Sequence, residues 1–263
     1  WMSDDNFEIP RLPAAYNLIP FESVGSTMTE ARKLAILGED ETPDGTLIWA
    51  REQTEGRGRR GNSWDSPKGN FYMSLITRPD VLPANAAELA FVTGCAIFDT
   101  VGEVCEPGFE CRLKWPNDVL LNDCKIAGLL LETRASAGEN VDYVIIGLGL
   151  NLLSHPQNTE YPATNFVNEG QIIPDTVFLE AFARHFMDWA SRWVDEGFEP
   201  VRQGWKWRAK GIGEEINVRL ENETLTGVFK DLAPDGSLIL DQDGTERIIT
   251  AGDVFFPNLN KDS

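Results

Sequence analysis

Between Gln53 and Leu75 the chain reads QTEGRGRRGNSWDSPKGNFYMSL, with Gly56, Gly58 and Gly61 set among Arg57, Arg59 and Arg60. Glycine costs about 0.5–1 kcal/mol in the interior of a helix or strand, so this run is a loop. A loop of this kind lets backbone N–H groups approach an anion while arginines bring fixed, forked positive charge. It has neither the Lys-Ser/Thr ending of a P-loop nor a third glycine placed for a dinucleotide fingerprint. Taken by itself it suits an anion site and an exposed basic turn equally.

Two more stretches carry polar groups that a core alone does not need. In LKWPNDVLLNDCKIAGLLLE (113–132), Lys114, Asn117, Asp118 and Lys125 interrupt otherwise apolar strands, and Gly128 leaves room for close approach of a ligand or backbone. A buried, unpaired charge costs several kcal/mol, so the lysines should meet carboxylates or anions. Asp118 in a turn can hold a divalent ion or a ribose hydroxyl, and Asn117 can do the same neutrally; a plain hairpin with Asx-turn residues is the alternative. In IIGLGLNLL (145–153), Gly147, Gly149 and Asn151 fall on one face of a strand. That line opens a groove ending in an amide, or else packs closely against a helix. Placed on adjacent strands around one pocket, the three stretches suit attack by a carboxylate or phosphate-like oxygen on a nucleoside triphosphate. Arginine and lysine would stabilise charge developing on the α-phosphate, and Mg²⁺ would neutralise the polyphosphate. Neither a Ser/His/acid triad nor a Cys/His pair is suggested.

Strands over 46–52 and 70–77 flank the Gly/Arg loop, and a short strand covers 17–22. Thr27 with Glu30 forms a capping box that starts a helix over 27–37. A long, mainly buried helix spans 85–104. Strands follow at 110–115, 119–121, 125–133 and 141–153, the last two joined by RASAGENV as a hairpin. Phe178, Phe182, Phe186, Trp189 and Trp193 make an aromatic core stripe on a helix over 175–196 that stops at Gly197, with His185 structural beside it. A further short helix covers 201–209. Adjacent strands dominate over alternating strand and helix, so the fold class is α+β: a mixed, largely antiparallel sheet packed against helices, not a doubly wound sheet. From Ile212 the chain changes to short, partly alternating strands, which read as a small separate β-barrel.

The chain has 263 residues, 42% apolar and 25% charged, ordinary for a globular protein with one medium and one small domain. A formal net charge of −19 repels nucleic acid over most of the surface and makes the arginine loop a local exception. No helix-turn-helix fits ahead of Glu22, where Pro10, Pro13 and Pro20 interrupt the chain. Residues 1–16 read as a loose arm, with Trp1 an addition ahead of a natural start at Met2. No signal peptide and no membrane span are expected. Cys95, Cys105, Cys111 and Cys124 form no C-x-x-C pair and no zinc pattern with His155 or His185, so free thiols and a cytoplasmic location are expected.

GRGRRGNSWDSP with GNFYMSL, KWPNDVLLNDCKIAGLLLE and GLGLN together resemble the biotin protein ligase (biotin–[acetyl-CoA-carboxylase] ligase) family, of the monofunctional type lacking an N-terminal DNA-binding domain. The resemblance implies a biotin/lipoate ligase-type catalytic domain over 17–211, of class II aminoacyl-tRNA synthetase-like fold, and an SH3-like barrel over 212–257. It implies that biotin and MgATP give biotinoyl-5′-AMP and pyrophosphate, and that a lysine of the biotin carboxyl carrier protein then takes the acyl group.

By the same resemblance Ser26 and Thr27 are the biotin ureido contacts, and Gln53 lines the biotin pocket. Gly56, Arg57, Arg59 and Arg60 form the ligand-binding loop, and Trp64 covers the adenine. Asn117 and Asp118 stand on the nucleotide and metal side, Asp118 being the metal residue. Lys125 bridges the biotin carboxylate and the α-phosphate, with Arg57 and Arg59 as its catalytic partners. Gly128, Gly147, Gly149 and Asn151 make the pocket wall. Asn62 stands where many members carry a further arginine, and Met28 replaces the Asn that often follows Ser-Thr. The family pairs through sheet edges, which implies a homodimer. A lipoate- or octanoate-transferring enzyme of the same fold, and an inactive homologue serving as an interaction module, are the alternatives.

Overall fold

The computed structural model describes residues 8–136 and 139–257. The expected start at Met2 and the first part of the loose arm lie outside them. Near-continuous apolar runs make the central strands, because both of their faces are covered. β2 (Thr46–Ala50) is buried throughout, and β3 (Phe71–Thr77) and β7 (Val141–Leu150) are buried along most of their length. With β1 (Asn17–Phe21), β4 (Cys111–Lys114), β5 (Asp118–Leu121) and β6 (Cys124–Ala135) they form a seven-stranded sheet in the order β1-β2-β3-β7-β6-β5-β4. β1 and β2 are parallel and every other pair is antiparallel. The mixed, largely antiparallel sheet expected from the sequence is therefore observed.

Alternation of side chains divides the sheet into two faces. Leu47, Trp49, Phe71, Met73, Leu75, Ile146 and Leu148 belong to the main core, which α3 (Glu88–Val104), α4 (Asp175–Glu196) and α5 (Phe198–Arg208) complete. The aromatic stripe of α4 is buried there, and Gly197 caps the helix with φ 81°. Ile48, Ile76 and Ile145 face the other way, onto Met28, Ala31 and Ala35 of α1 (Thr27–Ala35). The predicted 85–104 helix is broken into α2 (Pro83–Ala86) and α3, joined at Ala87. None of the described helices is long and apolar enough to cross a membrane.

The expected capping box of Thr27 with Glu30 does not form. Ser26 is the N-cap and Thr27 already lies inside the helix, its hydroxyl turned to Gln53. A second correction concerns the C-terminal strands. β8 (Glu215–Arg219), β9 (Thr224–Leu232), β10 (Leu238–Gln242), β11 (Thr245–Ile249) and β12 (Asp253–Phe255) form an open sheet in the order β11-β10-β9-β8-β12. Among the described residues no ladder joins β11 to β12, so the expected SH3-like barrel does not close. β12 is only three residues long, and its Val254 carbonyl accepts from Lys114 Nζ (3.3 Å).

Candidate active site

Strand register assembles the site. Lys114 stands opposite Asp118, Asp118 opposite Gly128, Gly128 opposite Gly149 and Gly149 opposite Tyr72, in one row across β4, β5, β6, β7 and β3. A bulge in β6 displaces Ile126, so Lys125 stands opposite Leu120 and joins the side of the sheet that carries Asp118 and Gly128. The glycines on this row leave a cleft of about 400 Å³. Trp64 lies over its floor: a Cβ on Gly149 would stand 2.4 Å from the indole Nε1, and one on Gly128 3.0 Å from Cζ3.

One end of the cleft is polar and uncharged. Ser74 Oγ donates to Thr27 Oγ1 (2.8 Å), while Thr27 donates from both its Oγ1 and its backbone N to Gln53 Oε1 (3.1 and 2.8 Å). Gln53 Nε2 donates to Ser66 Oγ (3.0 Å), which donates to the Trp64 carbonyl (2.8 Å). This chain ties the deep polar end to the loop that carries Trp64. Ser26 Oγ also lines the cleft, and it is buried without a protein partner. Such a group is satisfied only by something that enters the cleft. Met28 closes this end, with its Sδ 2.6 Å from where a Cβ on Gly147 would sit.

The other end is cationic. Asp118 Oδ1 binds Lys125 Nζ at 2.7 Å and Oδ2 binds Lys114 Nζ at 2.6 Å. Burial resists ionisation of the Asp118 carboxyl, but the two ammonium groups overcome it and hold its pKa well below the usual carboxylate range. Burial also lowers the pKa of Lys114, which Asp118 partly offsets. The lysines thus meet a carboxylate, as their positions in apolar strands require. Lys125 keeps a partly exposed side chain 5.4 Å from the Trp64 ring centre. Asn117 donates to the Leu129 carbonyl and accepts from Arg59 Nη1 (2.8 Å).

The Gly/Arg loop folds as a single 3₁₀ turn, Arg59–Gly61, with Arg60 left-handed at φ 54°. Arg57, Arg59 and Asn62 line the cleft, and so does Asn151, whose Nδ2 donates to the Thr164 carbonyl (3.0 Å). Two expected site residues stand outside the lining. Gly56 is packed behind it, where a Cβ would meet the Trp64 carbonyl at 2.3 Å, and Arg60 turns to Asp253 (2.9 Å). The expected metal residue, Asp118, has both oxygens engaged by ammonium groups. Among the described residues no three of His, Cys, Asp and Glu come together as a metal cage.

Sequence reasoning missed a segment that roofs the cleft, including Pro156, Thr159, Glu160 and Tyr161. Its backbone pairs with Lys125, which donates to the Pro162 carbonyl (2.7 Å) and accepts from Thr164 N (3.0 Å). Asn70 anchors its start, the Oδ1 accepting from the backbone N–H groups of Leu152, Leu153 and Ser154. Asp253, from the C-terminal sheet, was missed too. The NFYMSL run contains the one signal for the roof, an asparagine at the mouth of an apolar strand.

Residues 21–151 match the Biotin/lipoate A/B protein ligase family, and residues 211–256 match the Biotin protein ligase C terminal domain. The chain is 38% identical over 237 residues to the biotin–[acetyl-CoA-carboxylase] ligase of Paracoccus denitrificans, covering 88% of this chain and 97% of that one. Its structure resembles the biotin protein ligase of Aquifex aeolicus in complex with biotin and ATP, with TM-score 0.75 and 26% identity, covering 91% and 97% of the two chains. It also resembles the Leishmania major biotin protein ligase in complex with biotinyl-5-AMP, with TM-score 0.62 and 27% identity over 89% and 99% of the chains.

Proposed function

The chain belongs to the biotin protein ligase family, and from that premise we infer how its own residues activate biotin with ATP and pass it to a carrier lysine. The observation that carries the reading is the two-ended cleft: uncharged hydrogen-bonding groups at Ser26, Thr27 and Gln53, and Lys125 fixed on Asp118 at the other end. That polarity suits an acid with a neutral polar head. Ser26 Oγ would take a ureido hydrogen bond, and the carboxylate would reach Lys125. The Lys114–Asp118 pair orients the Lys125 ammonium and compensates its counter-ion, so Lys125 can respond to charge that develops in the reaction.

When a biotin carboxylate oxygen bonds to the α-phosphorus, the bond to the β-phosphate oxygen breaks and pyrophosphate leaves. Lys125 and Arg57 stabilise the charge on the phosphoryl oxygens, Arg59 holds the product, and Trp64 covers the adenine. The mixed anhydride is hydrolysable, so the arginine loop and the 155–165 roof exclude water until the carrier amine attacks the acyl carbon and AMP departs. Mg²⁺ is proposed to enter with the nucleotide, held chiefly by its phosphates and water, since each Asp118 oxygen already accepts from a lysine ammonium. The division of labour follows the 17–211 and 212–257 segments, and the acceptor is the biotin carboxyl carrier protein.

A transferase working through a cysteine is disfavoured. Burial pushes the Cys95, Cys105 and Cys111 thiols up to about 12, and no cysteine lines the cleft. The test pairs calorimetric titration of biotin and of lipoate with pyrophosphate exchange. Wild type is expected to bind biotin and to exchange. Lys125→Ala is expected to lose exchange by about 10²–10³-fold, the usual cost of one preorganised transition-state donor. Normal exchange in that variant, or preference for lipoate, would overturn the reading.

A further inference from the structure

Asp253 belongs to none of the three motif stretches, yet its carboxylate meets three guanidinium groups. Arg60 lies at 2.9 Å, Arg59 at 3.4 Å and Arg219 at 3.7 Å. Arg219 in turn pairs with Glu160 of the roof and stacks over Phe255, 4.9 Å from the ring centre. One carboxylate on the shortest strand of the C-terminal sheet therefore joins both coverings of the cleft, the arginine turn directly and the 155–165 segment through Arg219. Arg60 also needs such a partner. It holds φ 54° and ψ 32°, a left-handed conformation that arginine rarely adopts unaided. Val254, next in the chain, is tied by its carbonyl to Lys114, so β12 is fixed to the Lys114–Asp118–Lys125 cluster as well.

We propose that Asp253 is a positioning residue of the ligase: it clasps the Arg59–Arg60 turn over the cleft, so that the C-terminal sheet helps to retain the acyl-adenylate. This rests on the reading of the cleft as an adenylate site. Arg59 is shared between Asp253 and Asn117, which sets its guanidinium at the rim, where an arriving phosphate competes for it. Arg60 is held by Asp253 and keeps the turn in place while Arg59 exchanges partners.

The test uses the full chain with biotin and ATP. Pyrophosphate exchange reads formation of the adenylate, and loss of labelled adenylate from the isolated complex reads retention. Asp253→Asn keeps the shape and removes the charge; it is expected to speed release about three- to fivefold, the scale of partly exposed ion pairs, and to affect release by a larger factor than formation. Asp253→Glu is expected to restore retention. Release from wild type should quicken with added salt, and release from Asp253→Asn much less so. In a double-mutant cycle, Asp253→Asn should add little on an Arg60→Gln background. Unchanged retention in folded Asp253→Asn, equal factors on release and formation, or full additivity with Arg60→Gln would overturn the clasp. Should Asp253→Asn fail to fold, Arg60→Gln alone decides, with faster release expected and unchanged release refuting. Absence of adenylate in wild type would sink the functional reading instead.

Discussion

At the scale of single residues, Asp118 is the group on which the cationic end depends. It sits between two lysines, one of them buried, and removing one partner of such a cluster leaves a charge without compensation. Asp118→Asn is therefore expected to cost about 3–5 kcal/mol at neutral pH. The sign with pH follows from the depressed carboxyl. Its stabilising contribution is complete above the ordinary value of 3.8 and is lost as pH falls through the lower folded value. The stability gap between wild type and Asp118→Asn should then narrow below about pH 4, which urea denaturation at neutral and acid pH reads directly. A gap that stays constant would remove the ion cluster as its source. The residues at this scale were largely legible in the sequence, because lysines and an aspartate inside apolar strands demand partners. Asp253 was not legible: nothing in GDVFF sets it apart, and its partners lie far away in the chain.

At the scale of elements, glycines on a strand row say where something must fit, and the row across β5, β6 and β7 is filled here by Trp64. Gly149→Ala would place a methyl 2.4 Å from the indole Nε1, on a central strand that cannot yield, so the indole must leave its seat. With Trp64 proposed to cover the adenine, the nucleotide Kd should rise about tenfold, or ~1.4 kcal/mol. Biotin affinity should change less, since its contacts lie at the Ser26 end. Calorimetric titration of each ligand checks this, and an equal loss for both would place Trp64 elsewhere in the mechanism. The strands of the first sheet and the α4 helix were readable from apolar runs and the aromatic stripe; the order in which the strands pair was not. Thr27 was misread as a cap because its spacing to Glu30 is the local signal, whereas its hydroxyl is claimed by Gln53 and Ser74, which local pattern does not report. The barrel failed for a related reason. Short alternating strands signal a small sheet but do not say whether its edges meet, and here one edge is turned to Lys114 and the arginine turn.

At the scale of the whole molecule, the two sheets share one core. Ile216, Val218, Phe229 and Leu232 of the C-terminal sheet lie in the same buried cluster as Phe91, Leu113 and Trp115. Trp115 Nε1 donates to the Gly236 carbonyl (3.0 Å), and Gly236, at φ 84°, would bring a Cβ within 2.7 Å of the Phe91 ring. Phe91 packs edge-on against Phe198 and Trp205, so three segments of the chain converge on one ring. The backbone between the sheets is pinned as well, Lys210 N donating to the Leu113 carbonyl (2.8 Å). A junction this apolar couples the C-terminal sheet to the catalytic sheet in folding as Asp253 couples it to the cleft. Heating should therefore give one calorimetric transition. Phe91→Ala, which empties the junction, should lower stability by about 3–5 kcal/mol while the transition stays single. Two resolved transitions in wild type would show that the C-terminal sheet unfolds independently. The sheet could then release the Arg59–Arg60 turn without unfolding the site, and retention of the adenylate would fall on warming before the ligase itself melts.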